Sequence, residues 1–187
     1  MRLTKLPGTT IEAHLEPMVA DKILTPMFYS GGLVLSQVAQ ITGLEGHTVQ
    51  NWIKRKFLSH PENKKYNREQ LCRIMNINIL KDCFTLDQTE FILNYINNAI
   101  SGDDSFDDSD LYQYFVNVLA ALQCGRGASA DAAGLDAVIA GVITDYEGNF
   151  KFMRHRLAMV LKIMVTAYES LEIKLKAMEL YQQLDFQ

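Results

Sequence analysis

Gln50, Asn51, Lys54 and Arg55 lie close together within the stretch LSQVAQITGLEGHTVQNWIKRKFL, residues 35–58. Side-chain amides pair with adenine edges, and Arg and Lys meet guanine edges and phosphates, so this mixture on one helix face is the chemistry of major-groove readout. Val38, Ile41, Leu44, Val49 and Trp52 supply an apolar side for two helices. Ala39 is small where the helices must cross, and Gly43 can take the positive φ of a tight turn. Ser36 is the expected cap of the first helix, and His47 or Thr48 that of the second. The spacing is that of a helix-turn-helix. His47 stays open between a cap and a DNA contact. Trp52, the single tryptophan, is expected in the core rather than stacked on a base.

The residues that follow extend the basic surface. Lys56-Phe57-Leu58 closes the second helix and Pro61 breaks the chain. Lys64-Lys65-Tyr66-Asn67-Arg68 then forms a short basic loop, placed where a wing touches the DNA backbone. The net charge of −4 hides a division along the chain. Residues 1–81 hold 11 Lys/Arg and 6 Asp/Glu, a balance of +5, whereas residues 82–187 hold 7 and 16, a balance of −9. Within the basic half, residues 47–73 alone carry +5. Such asymmetry points to two regions facing different partners.

LSQVAQITGLEGHTVQNWIKRKFL and the NKKYNREQL loop resemble the winged helix-turn-helix of MerR-type bacterial regulators. The longer run through NREQLCRIMNINILKDCFTLDQTEFILNYIN resembles an uncharacterised domain-of-unknown-function family of Gram-positive bacteria, described as MerR-like transcriptional regulators. The resemblance covers about residues 30–100. It implies that Thr48 opens the recognition helix, that Trp52 is its aromatic and that Phe57-Leu58 is its closing pair. Gln50 stands where arginine is common, Asn51 where an aromatic or His is common, and Lys56 where glycine precedes the closing pair. No operator sequence therefore transfers. The last third lacks the cysteine cluster of MerR-type metal sensors, and that role does not transfer either.

Other chemistries find little support. His14, His60 and His155 stand far apart and beside no ligand-spaced Cys or acid, so no metal site is expected. An EF-hand loop opening at Asp103 would place Asp108 where Gly belongs and Tyr114 where Glu belongs, so DDSFDDSD is expected as a helix start with acids around its cap. Gly125-Arg126-Gly127 lacks the Lys-Ser/Thr of a phosphate loop, and Asp145 and Glu147 are expected at a solvated helix end. No nucleophile–base spacing appears, so neither an enzyme nor a cofactor is expected. Cys72, Cys83 and Cys124 are odd in number and read as reduced thiols of a cytoplasmic protein. The first residues have no apolar run of a secretory signal, and no window suits a membrane span.

The elements that must position these residues are helical. The chain has 187 residues, 48% hydrophobic and 21% charged, enough for one or two small domains. All four prolines lie in the first third. The fold expected is mainly α, an N-terminal MerR-like winged helix-turn-helix followed by a C-terminal helical bundle. Residues 1–32 are expected as an arm with a short helix around Ile11–Leu24, 33–100 as the winged region, 101–110 as an acidic linker and 111–187 as the helical domain. Asn67 and Thr85 open predicted helices over Arg68–Lys81 and up to about Ile100. Further helices are predicted over Leu111–Gln123, about Ala130–Tyr146, and from just after Asn149. The last carries Leu157, Leu161, Met164, Tyr168, Leu171, Leu175 and Met178 at heptad spacing, the pattern of a bundle core or a dimer coil.

The function expected is that of a bacterial DNA-binding regulator acting on double-stranded DNA as a homodimer. Lys54, Arg55, Lys64, Lys65 and Arg68 would meet phosphates, while Gln50, Asn51 and His47 would meet bases beside Thr48. The acidic half would dimerise or answer an effector or partner protein. The alternative is a protein-interaction module that keeps the scaffold without DNA binding. A ligand-carrying C-terminal bundle, resting only on its alanine- and methionine-rich helices, is the third reading.

Overall fold

The computed structural model describes residues 4–97, 106–124, 132–144, 146 and 151–184. It is mainly helical, as expected. The elements are β1 Thr4–Lys5, β2 Glu12–Ala13, α1 Val19–Leu24, a 3-10 turn Thr25–Phe28, α2 Leu35–Thr42, α3 Gly46–Lys54 and α4 Arg68–Leu80. They continue with α5 Leu86–Asn97, α6 Asp108–Cys124, α7 Ala132–Val142 and α8 Lys151–Gln182. Residues 101–105, the loop Gly125-Arg126-Gly127, Asp145 and Glu147 lie outside the described residues.

The N-terminal segment departs from expectation. Only Val19–Leu24 of the predicted helix forms. Glu12–Ala13 instead pairs antiparallel with Thr4–Lys5, with Thr4 opposite Ala13 and Lys5 opposite Glu12. Leu6, Leu15 and Leu24 are almost wholly buried, so this segment belongs to the core. Its loop presses on α4: a Cβ at Gly8, where φ is +70°, would lie 2.7 Å from the Met75 carbonyl oxygen. Tyr112 of α6 donates its hydroxyl to the Pro7 carbonyl (2.7 Å), and Thr10 donates to the Gln40 carbonyl at the end of α2 (2.8 Å). A hairpin too short to stand alone is thus held by three helices.

Helix α4 is the centre of the molecule. Nine of its residues, from Gln70 to Leu80, are buried, and α2, α5, α6 and α8 all pack against it. Its start is the predicted one. Asn67 Oδ1 accepts from the Gln70 N–H (2.8 Å), and Gln70 Oε1 accepts from the Asn67 N–H (3.0 Å). Thr85 and Gln88 repeat this box at α5. Asp107 caps α6 by accepting from the Ser109 and Asp110 N–H groups, so the acids of DDSFDDSD that are described mark a helix start. One buried cluster runs from Leu6 to Ala167, through both the basic and the acidic halves.

Gln70 does more than close a cap. Its Nε2 donates to Ser59 Oγ (2.9 Å) and to the carbonyls of Ser59 and His60 (3.2 and 3.1 Å). Gln88 holds the matching position in α5 with an exposed side chain. Gln70→Ala is therefore expected to lower unfolding free energy by about 1–2 kcal/mol, and Gln88→Ala by about half of that or less. Urea titrations of both variants check this; equal losses would show that the bonds to Ser59 and His60 contribute nothing.

Candidate functional site

Helices α2 and α3 are joined by Gly43-Leu44-Glu45, with Gly43 at φ +70° closing α2. The expected caps differ from those observed. Ser36 lies inside α2, whose first turn is held by Gln37 Oε1 accepting from the Val34 N–H (2.9 Å). Helix α3 begins two residues before Thr48, at Gly46, with Glu45 in the capping position. His47 and Thr48 are therefore in the first turn and cap nothing. Val49, Trp52 and Ile53 are buried, so Trp52 is a core residue. The opposite stripe, His47, Gln50, Asn51 and Lys54, is exposed, while Thr48 is half-buried. These positions repeat at helical spacing and form one face.

Helix α3 ends earlier than the expected Phe57. Lys56 takes a left-handed conformation, φ +66°. Its N–H reaches the Ile53 carbonyl (3.0 Å), and the Phe57 N–H reaches the Trp52 carbonyl (2.9 Å). This is the six-to-one and five-to-two pattern of a Schellman ending, with Lys56 where glycine is usual. Phe57 and Trp52, the apolar pair of that ending, are both buried. The Arg55 guanidinium lies 4.9 Å from the centre of the Phe57 ring, which fixes a cation at the helix end.

The basic loop is a two-residue hairpin. Glu62 pairs with Lys65, the Lys65 N–H donates to the Glu62 carbonyl (2.8 Å), and Asn63 and Lys64 both have positive φ, 50° and 62°. Two consecutive left-handed residues make a type I′ turn, with Lys64 where glycine is favoured. Tyr66 is buried and exchanges backbone hydrogen bonds with Leu33, which ties the hairpin to the strand-like entry into α2. A Cβ at Gly32 would meet the Tyr66 carbonyl oxygen at 2.7 Å, so this close approach needs glycine. Lys64 and Lys65 are exposed at the tip.

Arg68 is not part of this surface. Its Nη2 lies 2.8 Å from Asp21 Oδ1 and its Nη1 donates to Thr25 Oγ1 (3.1 Å), so it joins α4 to α1. Its cleft also holds Glu69, Asp107 and Asp110, which repel phosphate. Burial, and then Asp107 and Asp108, push the Glu69 carboxyl up from its ordinary range. By contrast, Lys54, Arg55, Lys56, Lys64 and Lys65 form no ion pair among the described residues. Lys56 joins this set, a residue that the sequence marks only as a missing glycine.

No grouping of His, Cys, Asp and Glu among the described residues could hold a metal. Burial pushes the Cys72 thiol far up, so it stays a neutral core thiol. Among the described residues no helix is long and apolar enough to cross a membrane.

A family model described as a domain of unknown function, DUF1836, matches residues 21–115, about half of the chain. That range runs from α1 into α6 and includes the whole candidate surface. The uncharacterized protein YkrK of Bacillus subtilis (strain 168) is 31% identical over 94 residues, covering 47% of this chain and 40% of YkrK. The chain thus matches about two-fifths of the length of that relative. No solved structure matches.

The left-handed Lys56 gives a direct test of the α3 ending. A non-glycine residue there costs on the order of 1 kcal/mol. Lys56→Gly is expected to raise stability by about that amount, a Tm increase of about 2–4 °C, whereas Lys56→Ala is not. Thermal denaturation of both variants decides it; equal Tm changes would mean that the ending carries no backbone strain.

Proposed function

Since the chain belongs to the DUF1836 family, whose description gives no activity, we propose that it is a DNA-binding transcriptional regulator with a MerR-like winged helix-turn-helix. Helix α3 enters the major groove with Gln50, Asn51 and His47 toward base edges. Lys54, Arg55 and Lys56 meet phosphates at its end, and Lys64 and Lys65 meet the backbone from the hairpin wing. The observation that carries this reading is the set of five cations between residues 54 and 65 that form no ion pair among the described residues. Two of them, Lys56 and Lys64, occupy positive-φ positions where glycine is easier to hold. Backbone strain kept at exposed cations supports a role for the charges themselves.

The geometry also supports a division of labour. Arg68 is engaged by Asp21 and serves the fold, so the phosphate surface ends at Lys65. The acidic half of the chain, although it shares one core with the basic half, is the region for a partner or effector. A protein-interaction module on the same scaffold is the reading that would replace this one if DNA binding were absent.

Fluorescence anisotropy with a random labelled duplex tests the proposal. Affinity is expected to fall steeply between roughly 50 and 200 mM salt, through counterion release. Lys64→Glu with Lys65→Glu should weaken binding to every duplex and reduce the salt slope by about two. Arg68→Gln should leave that slope unchanged. No binding at the lowest salt would reject the DNA reading. Asn51→Ala should flatten sequence preference by about 1–3 kcal/mol at one base pair in a selection experiment, and an unaltered preference would remove Asn51 from the readout.

A further inference from the structure

The segment that leads into α2 lies against the hairpin, and it carries an aromatic that no motif in the sequence marks. The 3-10 turn Thr25–Phe28 follows α1 and contains Pro26, whose ring presets the backbone. The Tyr29 N–H donates to the Pro26 carbonyl (3.4 Å), and the Gly31 N–H donates to the Phe28 carbonyl (3.0 Å). The Arg68 guanidinium holds the start of the turn at Thr25 Oγ1. Gly31 takes φ +101°, and a Cβ there would lie 3.4 Å from Lys65 Nζ. A Cβ at Gly32 would lie 2.9 Å from Lys65 Cβ. The Gly31-Gly32 pair thus lets this segment press on the wing beside its second lysine. Tyr29, two residues earlier, is 80% exposed, more than any other large hydrophobic side chain among the described residues.

We propose that Tyr29 is a contact to the DNA backbone beside the wing, its hydroxyl donating to a phosphate near the one that Lys65 meets and its ring lying on the adjoining sugar. The proposal rests on the DNA-binding reading of α3 and the hairpin, and adds to it a neutral contact from the segment before α2. Continuity with the cationic surface supports it. Two residues of chain span at most about 7 Å, so the Tyr29 Cα lies within about 12 Å of Lys65 Nζ. A DNA strand carries a phosphate about every 3.4 Å of helix axis, so a strand held at Lys65 passes within reach of a tyrosine there. Charge agrees. Residues 22–68 hold seven Lys/Arg, with Glu45 and Glu62 as the only acids, and residues 23–44 hold no charged side chain. A polyanion therefore meets no repulsion from this segment, and any grip it provides comes from a hydroxyl or a ring. A phenol supplies both, an apolar body for the sugar and a donor for the phosphate. Such a contact adds affinity without releasing a counterion and without reading a base.

Anisotropy titrations of the full chain with a random labelled duplex test it. Tyr29→Ala should raise Kd about tenfold at about 50 mM salt for every duplex, with the salt slope and the Tm unchanged, because the side chain is neutral and exposed. Tyr29→Phe should lose most of the same affinity, since it lacks the hydroxyl. Tyr29→Lys should steepen the salt slope by about one, because a cation at this position reaches a phosphate. Position is read directly by photocross-linking: p-azidophenylalanine in place of Tyr29 should cross-link to the duplex. The same group in place of Phe91, an aromatic 71% exposed on α5, should not. Wild-type affinity in Tyr29→Ala or Tyr29→Phe, an unchanged slope in Tyr29→Lys, or no cross-link from position 29 would each overturn the inference. If Lys64→Glu with Lys65→Glu still weakens binding in that case, the wing stands and the tyrosine contact alone falls. A wild-type chain that binds no duplex at the lowest salt rejects both.

Discussion

The molecule is organised by the enclosure of α4. Of the polar residues of α4, Glu69 is exposed, whereas packing by α2, α5, α6 and α8 leaves Gln70 and Asn76 buried and Arg68, Arg73 and Asn78 half-buried. Each buried or half-buried one must find a partner inside the protein or leave a buried group unsatisfied at a cost of about 1–3 kcal/mol. The partners found lie on different segments. Gln70 holds Ser59 and His60. Arg73 donates to the Phe57 carbonyl (3.4 Å) and to Asn94 of α5 (2.9 Å), and its Nη1 lies 3.5 Å from the Asp108 carboxylate of α6. Asn76 donates to Asp108 as well, and Asn78 donates to the carbonyls of Gly8 and Thr42. These bonds therefore fix the N-terminal hairpin, the end of α2, the exit from α3, the last turn of α5 and the start of α6 relative to one another.

This arrangement explains why the candidate surface has a defined shape although it is built from short pieces. Helices of eight and nine residues, such as α2 and α3, are marginal alone, and a two-residue hairpin more so. Their ends are tied instead. Phe57 is held by the Arg73 side chain, Ser59 and His60 by Gln70, and Tyr66 by Leu33. Of the residues with positive φ, Lys64 stands between these ties and Lys56 directly precedes the first of them. Asp108 shows how much the junction depends on Arg73. Burial pushes its carboxyl up, and the guanidinium and the Asn76 amide work against that burial. Such a pair tolerates the loss of neither partner, because the remaining charge would be buried alone.

Much of this was legible in the sequence, and the rest fails for identifiable reasons. Asn67 with Gln70 and Thr85 with Gln88 are local capping signals, and both helices start where those residues predict. The apolar spacing of Val49 and Trp52 correctly points their side of α3 inward. Ser36 and Thr48 mislead because a hydroxyl near a helix start is a common signal, yet the actual starts are fixed by Gln37 and by Gly46. Glu12–Ala13 reads as helix because two-residue strands have no periodicity to detect, and their register is set by α4 and α6 from across the fold. Arg68 looks like one more cation of the basic loop because its partner, Asp21, is distant in sequence. The positive φ of Lys56 has a trace in the sequence, the lysine where the resembling motif has glycine. That of Lys64 has none, since a lysine does not announce a left-handed turn.

The division between what belongs to the family and what belongs to this chain follows the same physics. The family match ends within α6 and takes in α4 together with the segments that its polar side chains hold, from Asp21 to Asp108, apart from Gly8 in the N-terminal hairpin. The hub and the cationic surface it positions thus form one inherited unit. Helices α7 and α8 lie beyond the match, and α8 supplies the remaining apolar wall through Leu157, Leu161 and Met164. A wall needs only an apolar face of sufficient length, a demand that many helices meet. The C-terminal turns of α8, past Lys174, contribute nothing to that wall. They also lie beyond the family match, so family membership alone carries no information about them.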